Sequence, residues 1–307
     1  LLLVASLYYR EGLPQSRVAK LAGISQANVS RLLNEARQKG LVQITVAPFT
    51  PRDENLEKEL RSKFNLNKCI VIKTFYEQTA DQFKNTLGHF AGPIISKLIK
   101  PKTTVCVAAG RHINALTKEM KPVDSVFNTV FVQAIGDISP QIQENDAIEI
   151  ARRLAKRWSG QYHRLQAPAI TSDHESYKVF VAHEQIKAVL NYINNADIAI
   201  IGIGNPANSV FYGDEFSKPE KLADLKSQGV VGEICGHFID EEGREFKTDF
   251  TDRIIGVNLA QLQKIPEVVA VTSGVDRAKA VRGSIRSGIT TSLVIDNIGG
   301  NALLQLD

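Results

Sequence analysis

The chain has 307 residues, about two domains at roughly 150 residues each, and its 43% hydrophobic and 23% charged content is that of a globular protein with a sizeable core. No apolar run approaches the roughly 20 residues of a membrane span, which argues against a membrane partner; Cys69, Cys106 and Cys235, widely spaced in apolar runs, offer neither a disulfide framework nor metal-ligand spacing and suit buried reduced thiols in a cytoplasmic protein. The net charge of +4 sits entirely in residues 1–47, where six basic side chains meet two acidic ones, while the remainder holds 31 of each sign, so attraction to a polyanion is expected only at the N-terminus.

Residues 1–9, LLLVASLYY, lack the basic leader and small-residue cleavage site of a secretory signal and read as the first helix of the fold. With Leu1 first and Met120 the single methionine, the natural start is expected upstream. Residues 15–39 carry the pattern of a helix-turn-helix. Pro14 suits a helix start, Ala19 is the small residue where two helices cross, Gly23 can take the positive φ of the turn, and Val18, Ala22, Ile24, Val29 and Leu32 face inward. Ser25 is a good N-cap for the second helix, predicted over about Ser25 to Lys39. That helix turns Ser25, Gln26, Ala27, Asn28, Ser30 and Arg31 away from the core. Gln and Asn can pair with adenine edges, Arg with guanine or phosphate and Ala with a thymine methyl, so these six are the candidate DNA contacts. GLVQITV, residues 40–46, reads as the strand of a wing.

PFTPRDEN, residues 48–55, marks a boundary. The reading assigns 1–50 to a DNA-binding domain, 51–68 to a linker helix with Leu56, Leu60 and Phe64 on one face, and 69–307 to an effector and oligomerisation domain. Beyond Cys69, strands are predicted at 69–73, 104–108, 129–135, 197–204, 231–235, 253–257, 268–272 and 292–296, with helices at about 79–99, 143–158, 184–195 and 274–287. Continuous apolar strands separated by helices imply a doubly wound, mostly parallel α/β domain. Such sheets bind ligands beyond the carboxyl ends of their strands, and glycine-rich turns stand there at AAGRHIN, QAIGDIS, IGIGNPANS, CGHFIDEEG and TSGVDRAK. Exposed N–H groups at helix starts favour phosphate or carboxylate. Neither GxGxxG nor a phosphate-loop motif occurs, so no nucleotide cofactor is expected.

Taken together, SQANVSRLLNEARQKGLVQITV, VCVAAGRHINAL, DIAIIGIG, VVGEICGHFIDEEG and RIIGVNLAQLQKIPEVVAVTSGVDRAKAVRGSIRSG resemble the SorC family of bacterial sugar-responsive transcriptional regulators over essentially the whole chain. The resemblance implies an effector domain built like sugar-phosphate isomerases and deaminases, a homo-oligomer (dimer or tetramer), and operator DNA binding controlled by a phosphorylated sugar or related carbohydrate. It places the ligand among Gly110, Arg111, His112, Ile113 and Asn114 as the first anion loop, with Gln133, Gly136 and Asp137 as a second wall. Asp197 and Gly204 stand in the middle, Asp240 serves as polyol partner and Arg277 as phosphate counter-charge. Two positions depart from the family pattern: His112 stands where Thr or Ser is expected, and Arg277 where Lys is usual, which keeps the charge but cannot form a Schiff base. Plainer readings stand beside these: Asp197 as a strand cap, Asp240 as a turn residue, Lys279 as a solvated helix residue, His112 as a local helix N-terminal contact. His89, His163, His174, His183 and His237 show no metal spacing. The competing function is a sugar-phosphate isomerase or deaminase using Asp137, Asp197 or Asp240 as base, but no acid/base pair compels it.

Overall fold

A computed structural model describes residues 1–47, 49–75, 78–123, 127–209 and 219–306 and divides into two units, Leu1–Thr50 and Pro51–Asp307. In the first, α1 (Leu2–Ala5) runs into a π-helical turn (Ser6–Arg10), followed by α2 (Gln15–Ala22) and α3 (Gln26–Gln38). Gly23 ends α2 at φ +66 with its N–H donated to Ala19 O, a left-handed conformation that a side chain would strain. Ser25 Oγ accepts from Asn28 N at 3.2 Å, capping α3. Val4, Val18, Ala19, Val29 and Leu33 form the small core. The expected wing strand does not form: 40–46 pairs with nothing in a ladder, and Leu41, Ile44 and Val46 are 48%, 58% and 80% exposed. β-propensity alone does not make a strand where no second strand is present to share its hydrogen bonds.

The second unit opens with α4 (Glu54–Phe64) and β1 (Lys68–Ile72). Residues 51–68 are part of this unit rather than a linker, because Leu56 and Leu60 belong to its main core, Arg52 bridges to Ile72, and buried Glu57 accepts from Arg52 and from Val71 N. Then follow α5 (Ala80–Ser96), β2 (Thr104–Val107), α6 (Arg111–Glu119), β3 (Val130–Gln133), α7 (Ala147–Trp158), β4 (Gln161–His163), α8 (His174–Ala182), α9 (Glu184–Asn194) and β5 (Ile198–Gly202). The last third adds α10 (Pro219–Ser227), β6 (Gly232–Ile234), β7 (His237–Ile239), β8 (Glu245–Phe246), α11 (Leu259–Leu262), β9 (Glu267–Val271), α12 (Ala278–Arg286), β10 (Ser292–Asp296) and α13 (Asn297–Leu304).

Seven strands form one sheet in the order β1-β10-β9-β5-β2-β3-β4, with every pair parallel. Parallel strands need covered faces, which explains why β2, β5, β9 and β10 are almost wholly buried aliphatic runs. Two predicted strands differ. Residues 231–235 supply β6 of a separate antiparallel sheet, β6-β7-β8. Residues 253–257 make only isolated bridges, Ile254 to Ile170 and Gly256 to Ile135. Chain order around β2 and β5 sets the site: β3 and β4 extend the sheet on one side of this pair, β9 and β10 on the other, leaving a topological switch point between them.

Candidate functional site: a cationic cleft at the switch point

Loops leaving β2, β5 and β9 surround a cavity of about 350 Å³. Gly110, at φ +146, turns the chain from β2 into α6, and its N–H donates to Asn145 O at 2.9 Å. Arg111 and His112 begin α6, while Lys84 reaches in from α5 and Arg277 from the loop after β9. His112 Nε2 lies 2.8 Å from Ser273 Oγ, joining two loops across the cavity. Burial first, then the charges of Arg277, Lys84 and Arg111, push its pKa down to about 3, so the imidazole is neutral.

Arg277 Nη1 donates to Ser273 O at 2.7 Å and to Asp276 Oδ1 at 3.0 Å, whereas its buried Nε has no partner among the described residues. Lys84 is held by Asp81 at 2.6 Å. Glu233 lies opposite in chemical character: it is 4% exposed, its Oε1 accepts from Gly236 N at 2.8 Å, and Ser209 also hydrogen-bonds it. Burial nevertheless pushes its pKa up, so the cavity joins three cations to a buried carboxyl group. Burial drives the thiol of Cys235, also on the wall, well above its ordinary pKa, and those of Cys69 and Cys106 to about 12.

Of the residues predicted from sequence, Gly110, Arg111, His112, Ile113, Gly204 and Arg277 line this cavity together. The others do not. Asn114 turns into α6–α7 packing, donating to Asn145 and accepting from Arg153. Gln133 and Asp137 are hydrogen-bonded to each other at 3.0 Å; Gln133 accepts from Leu165 N, and Asp137 pairs with Arg164 at 2.6 Å. They and Gly136, which abuts the Ala167 and Pro168 carbonyls, brace residues 164–168 instead of forming a second wall. Asp197 precedes β5, at the opposite end of the sheet, where it accepts from Thr104 N at 2.8 Å. Asp240 is a turn residue accepting from Glu242 N and Arg244 N, on a neighbouring hollow. Lys279 pairs with Glu241. Sequence reasoning missed Lys84, Asn205, Glu233 and Ser273. The available signal was a charge on an otherwise apolar surface: Lys84 with Phe83 and Leu87 on the buried face of α5, Glu233 inside VVGEIC.

The sugar-binding domain family (Sugar-bind) matches residues 51–305. The chain belongs to this family. It is 28% identical to the uncharacterized transcriptional regulator YjhU of Escherichia coli (strain K12), over 98% of this chain and 93% of that protein. It is 27% identical to the deoxyribonucleoside regulator of Bacillus subtilis (strain 168), over 98% and 96%. The crystal structure of the full-length sorbitol operon regulator SorC from Klebsiella pneumoniae shares its fold, with TM-score 0.78 at 23% identity over 98% of this chain and 97% of that one. The protein is thus a SorC-type transcriptional regulator with a sugar-binding effector domain; its relatives are regulators, not enzymes.

In this regulator the second helix of the helix-turn-helix exposes every predicted contact: Ser25, Gln26, Ala27, Asn28, Ser30 and Arg31 are all exposed, while Val29 within that run and Leu33 beyond it are buried. Arg31 lies 3.9 Å from Glu35, a loose pair that a phosphate or base edge can displace. Among the described residues no helix is long and apolar enough to cross a membrane.

Proposed function

We propose that this regulator reads operator DNA through Gln26, Ala27, Asn28, Ser30 and Arg31, with Ser25 fixing the helix start, and that a sugar or polyol phosphate in the switch-point cleft controls that binding. The observation that carries the reading is the convergence of Lys84, Arg111 and Arg277 on one cavity that also holds a buried carboxyl. A phosphate group answers the cations, and Arg277 has an unused buried N–H to offer it. The Glu233 carboxyl, buried on the same wall, suits a hydrogen bond to a hydroxyl at the other end of the ligand. A relative is named as a sorbitol operon regulator and another as an erythritol catabolism regulatory protein, which makes polyol-derived effectors the first to test.

The protein acts as a cytoplasmic homo-oligomer, because a helix-turn-helix reads paired half-sites about one helical turn, or a multiple of it, apart. The test is a titration of the full chain with sorbitol 6-phosphate, sorbitol and inorganic phosphate, followed by mobility shift on DNA upstream of its own gene with and without the tightest binder. The phosphorylated polyol should bind best and alter the DNA complex. Equal binding of sorbitol and its phosphate would refute the assignment of the cationic pole.

A further inference from the structure

Asp296 stands behind the switch-point cleft rather than in it. It is the last residue of β10 and the N-cap of α13, it is 3% exposed, and it does not line the cavity. Its Oδ1 accepts from two backbone donors at once, Gly299 N at 3.2 Å and Gly274 N at 2.8 Å. The first bond is an ordinary helix cap. The second reaches across to the loop after β9, and that loop carries Arg277. Gly274 holds φ +94, a left-handed backbone that a side chain would strain, and the turn Val275–Arg277 follows it directly. Fixing Gly274 therefore fixes the root of the Arg277 side chain at the end of that turn.

Two other ties reach the same loop. His112 Nε2 lies 2.8 Å from Ser273 Oγ, and Asn205 Nδ2 donates to Asp276 Oδ2 at 3.0 Å. Both come from side chains that line the cleft and are open to whatever enters it. Asp296 differs, because it grips backbone from a buried position and is mounted on a fixed element. A Cβ added at Gly299 would sit 3.0 Å from Gly274 O, and one added at Gly300 would sit 3.2 Å from Leu56 and 3.3 Å from Leu60. The first turn of α13 is thus packed against the Arg277 loop on one side and against α4 on the other. Lys63 of α4 holds the far end of the helix, its Nζ donating to Leu304 O at 2.8 Å and to Leu306 O at 2.6 Å. An arginine has many rotamers to lose, so its bond to a phosphate is strong only where its root is already held.

We infer that Asp296 is a positioning residue of the effector cleft: by holding Gly274 it sets the place of Arg277, and with it the preference for a phosphorylated ligand. The inference rests on the phosphate reading of the cleft given above. The test is calorimetric titration of the full chain with sorbitol 6-phosphate and with sorbitol, read as the ratio of the two affinities. A fold defect that weakens both ligands alike leaves that ratio in place. Asp296→Ser keeps a cap for α13 but, being shorter, gives up the bond to Gly274, whereas Asp296→Asn keeps an acceptor oxygen for both donors. Asp296→Ser should lower the preference for the phosphate about three- to thirtyfold, the range of coupling within one hydrogen-bonded network, and Asp296→Asn should stay within about twofold of wild type. Asp296→Thr, which also caps, repeats the test if Asp296→Ser melts early. In an Arg277→Ala background Asp296→Ser should cost less than about twofold more, because it acts through Arg277. With a wild-type preference for the phosphate in hand, an unmoved ratio in Asp296→Ser, an equal loss in Asp296→Asn, or an undiminished loss after Arg277→Ala would overturn the inference alone. Equal binding of both ligands by the wild type would overturn the phosphate reading and the inference with it.

Discussion

Replacing Arg277 with Ala is the perturbation that tests the effector cleft most directly. Nη1 is committed to Ser273 O and Asp276, leaving Nε and Nη2 without partners among the described residues and able to form one or two charge-assisted bonds to a phosphate. A hydrogen bond to a charged group contributes about 1.5–3 kcal/mol, so loss of one such bond should weaken a sugar phosphate roughly 10- to 150-fold. Arg277→Lys should fall between, since it keeps the charge but not the planar fork. The assay is calorimetric titration of wild type and both variants with the same sugar phosphate and with its unphosphorylated parent. Only the phosphorylated ligand should respond, and operator affinity without ligand should be unchanged, because Arg277 lies in the effector unit. A loss below about threefold in Arg277→Ala, or an equal loss for both ligands, would refute the phosphate role. A large fall in melting temperature would instead trace the loss to the Ser273–Arg277 loop, which Nη1 helps to hold.

Three further outcomes follow from the same structure. His112 has a folded-state pKa near 3 against 6.5 when free, so the unfolded chain takes up its proton first; the stability this confers is complete above pH 6.5 and is lost as pH falls toward 3. His112→Asn should therefore flatten the acid limb of a plot of urea midpoint against pH, and an unchanged limb would contradict a neutral imidazole. Arg31→Ala should weaken operator binding and lower the slope of log K against log salt by about one if it meets phosphate, whereas Gln26→Ala should relax base preference with little change of slope. In Gly88→Ala the new Cβ would sit 2.3 Å from the Ala115 carbonyl oxygen, so α5 and α6 must part; a cost of about 1–3 kcal/mol in chemical denaturation is expected.

Much of this architecture was legible because its signals are local. Pro14, Ala19, Gly23 and Ser25 state the helix-turn-helix in one short span, and the bounds of α2 and α3 follow within a residue. Apolar runs such as DIAIIGIG and SLVID can be satisfied only inside a covered parallel sheet, and both supply interior strands. What was not legible depends on strand order. The turn after β3 is as glycine-rich as the one after β2, yet β3 lies one strand outside the switch point, so Gln133, Gly136 and Asp137 face a structural neighbour rather than the cleft. The wing failed for a related reason: 40–46 has strand composition, but pairing is a property of two segments.

Asp197 is different, because chain direction alone separates it from the cleft. It precedes its strand, and five residues of β5 at about 3.3 Å each put roughly 16 Å between it and the carboxyl rim. Glycine therefore marks where a parallel strand ends, but which of those ends share a site is decided by the crossovers. Charge placed against its surroundings is the complementary signal. Lys84 and Glu233 each interrupt a stretch whose burial the hydrophobic pattern already predicts, and a buried charge must be paired, neutralised or placed on a cavity. Lys84 takes the first course with Asp81, Glu233 is met by Gly236 N while burial pushes its pKa up, and both line the cleft. An ionisable residue inside a predicted buried face thus carries more information about this site than the glycine turn after β3 did.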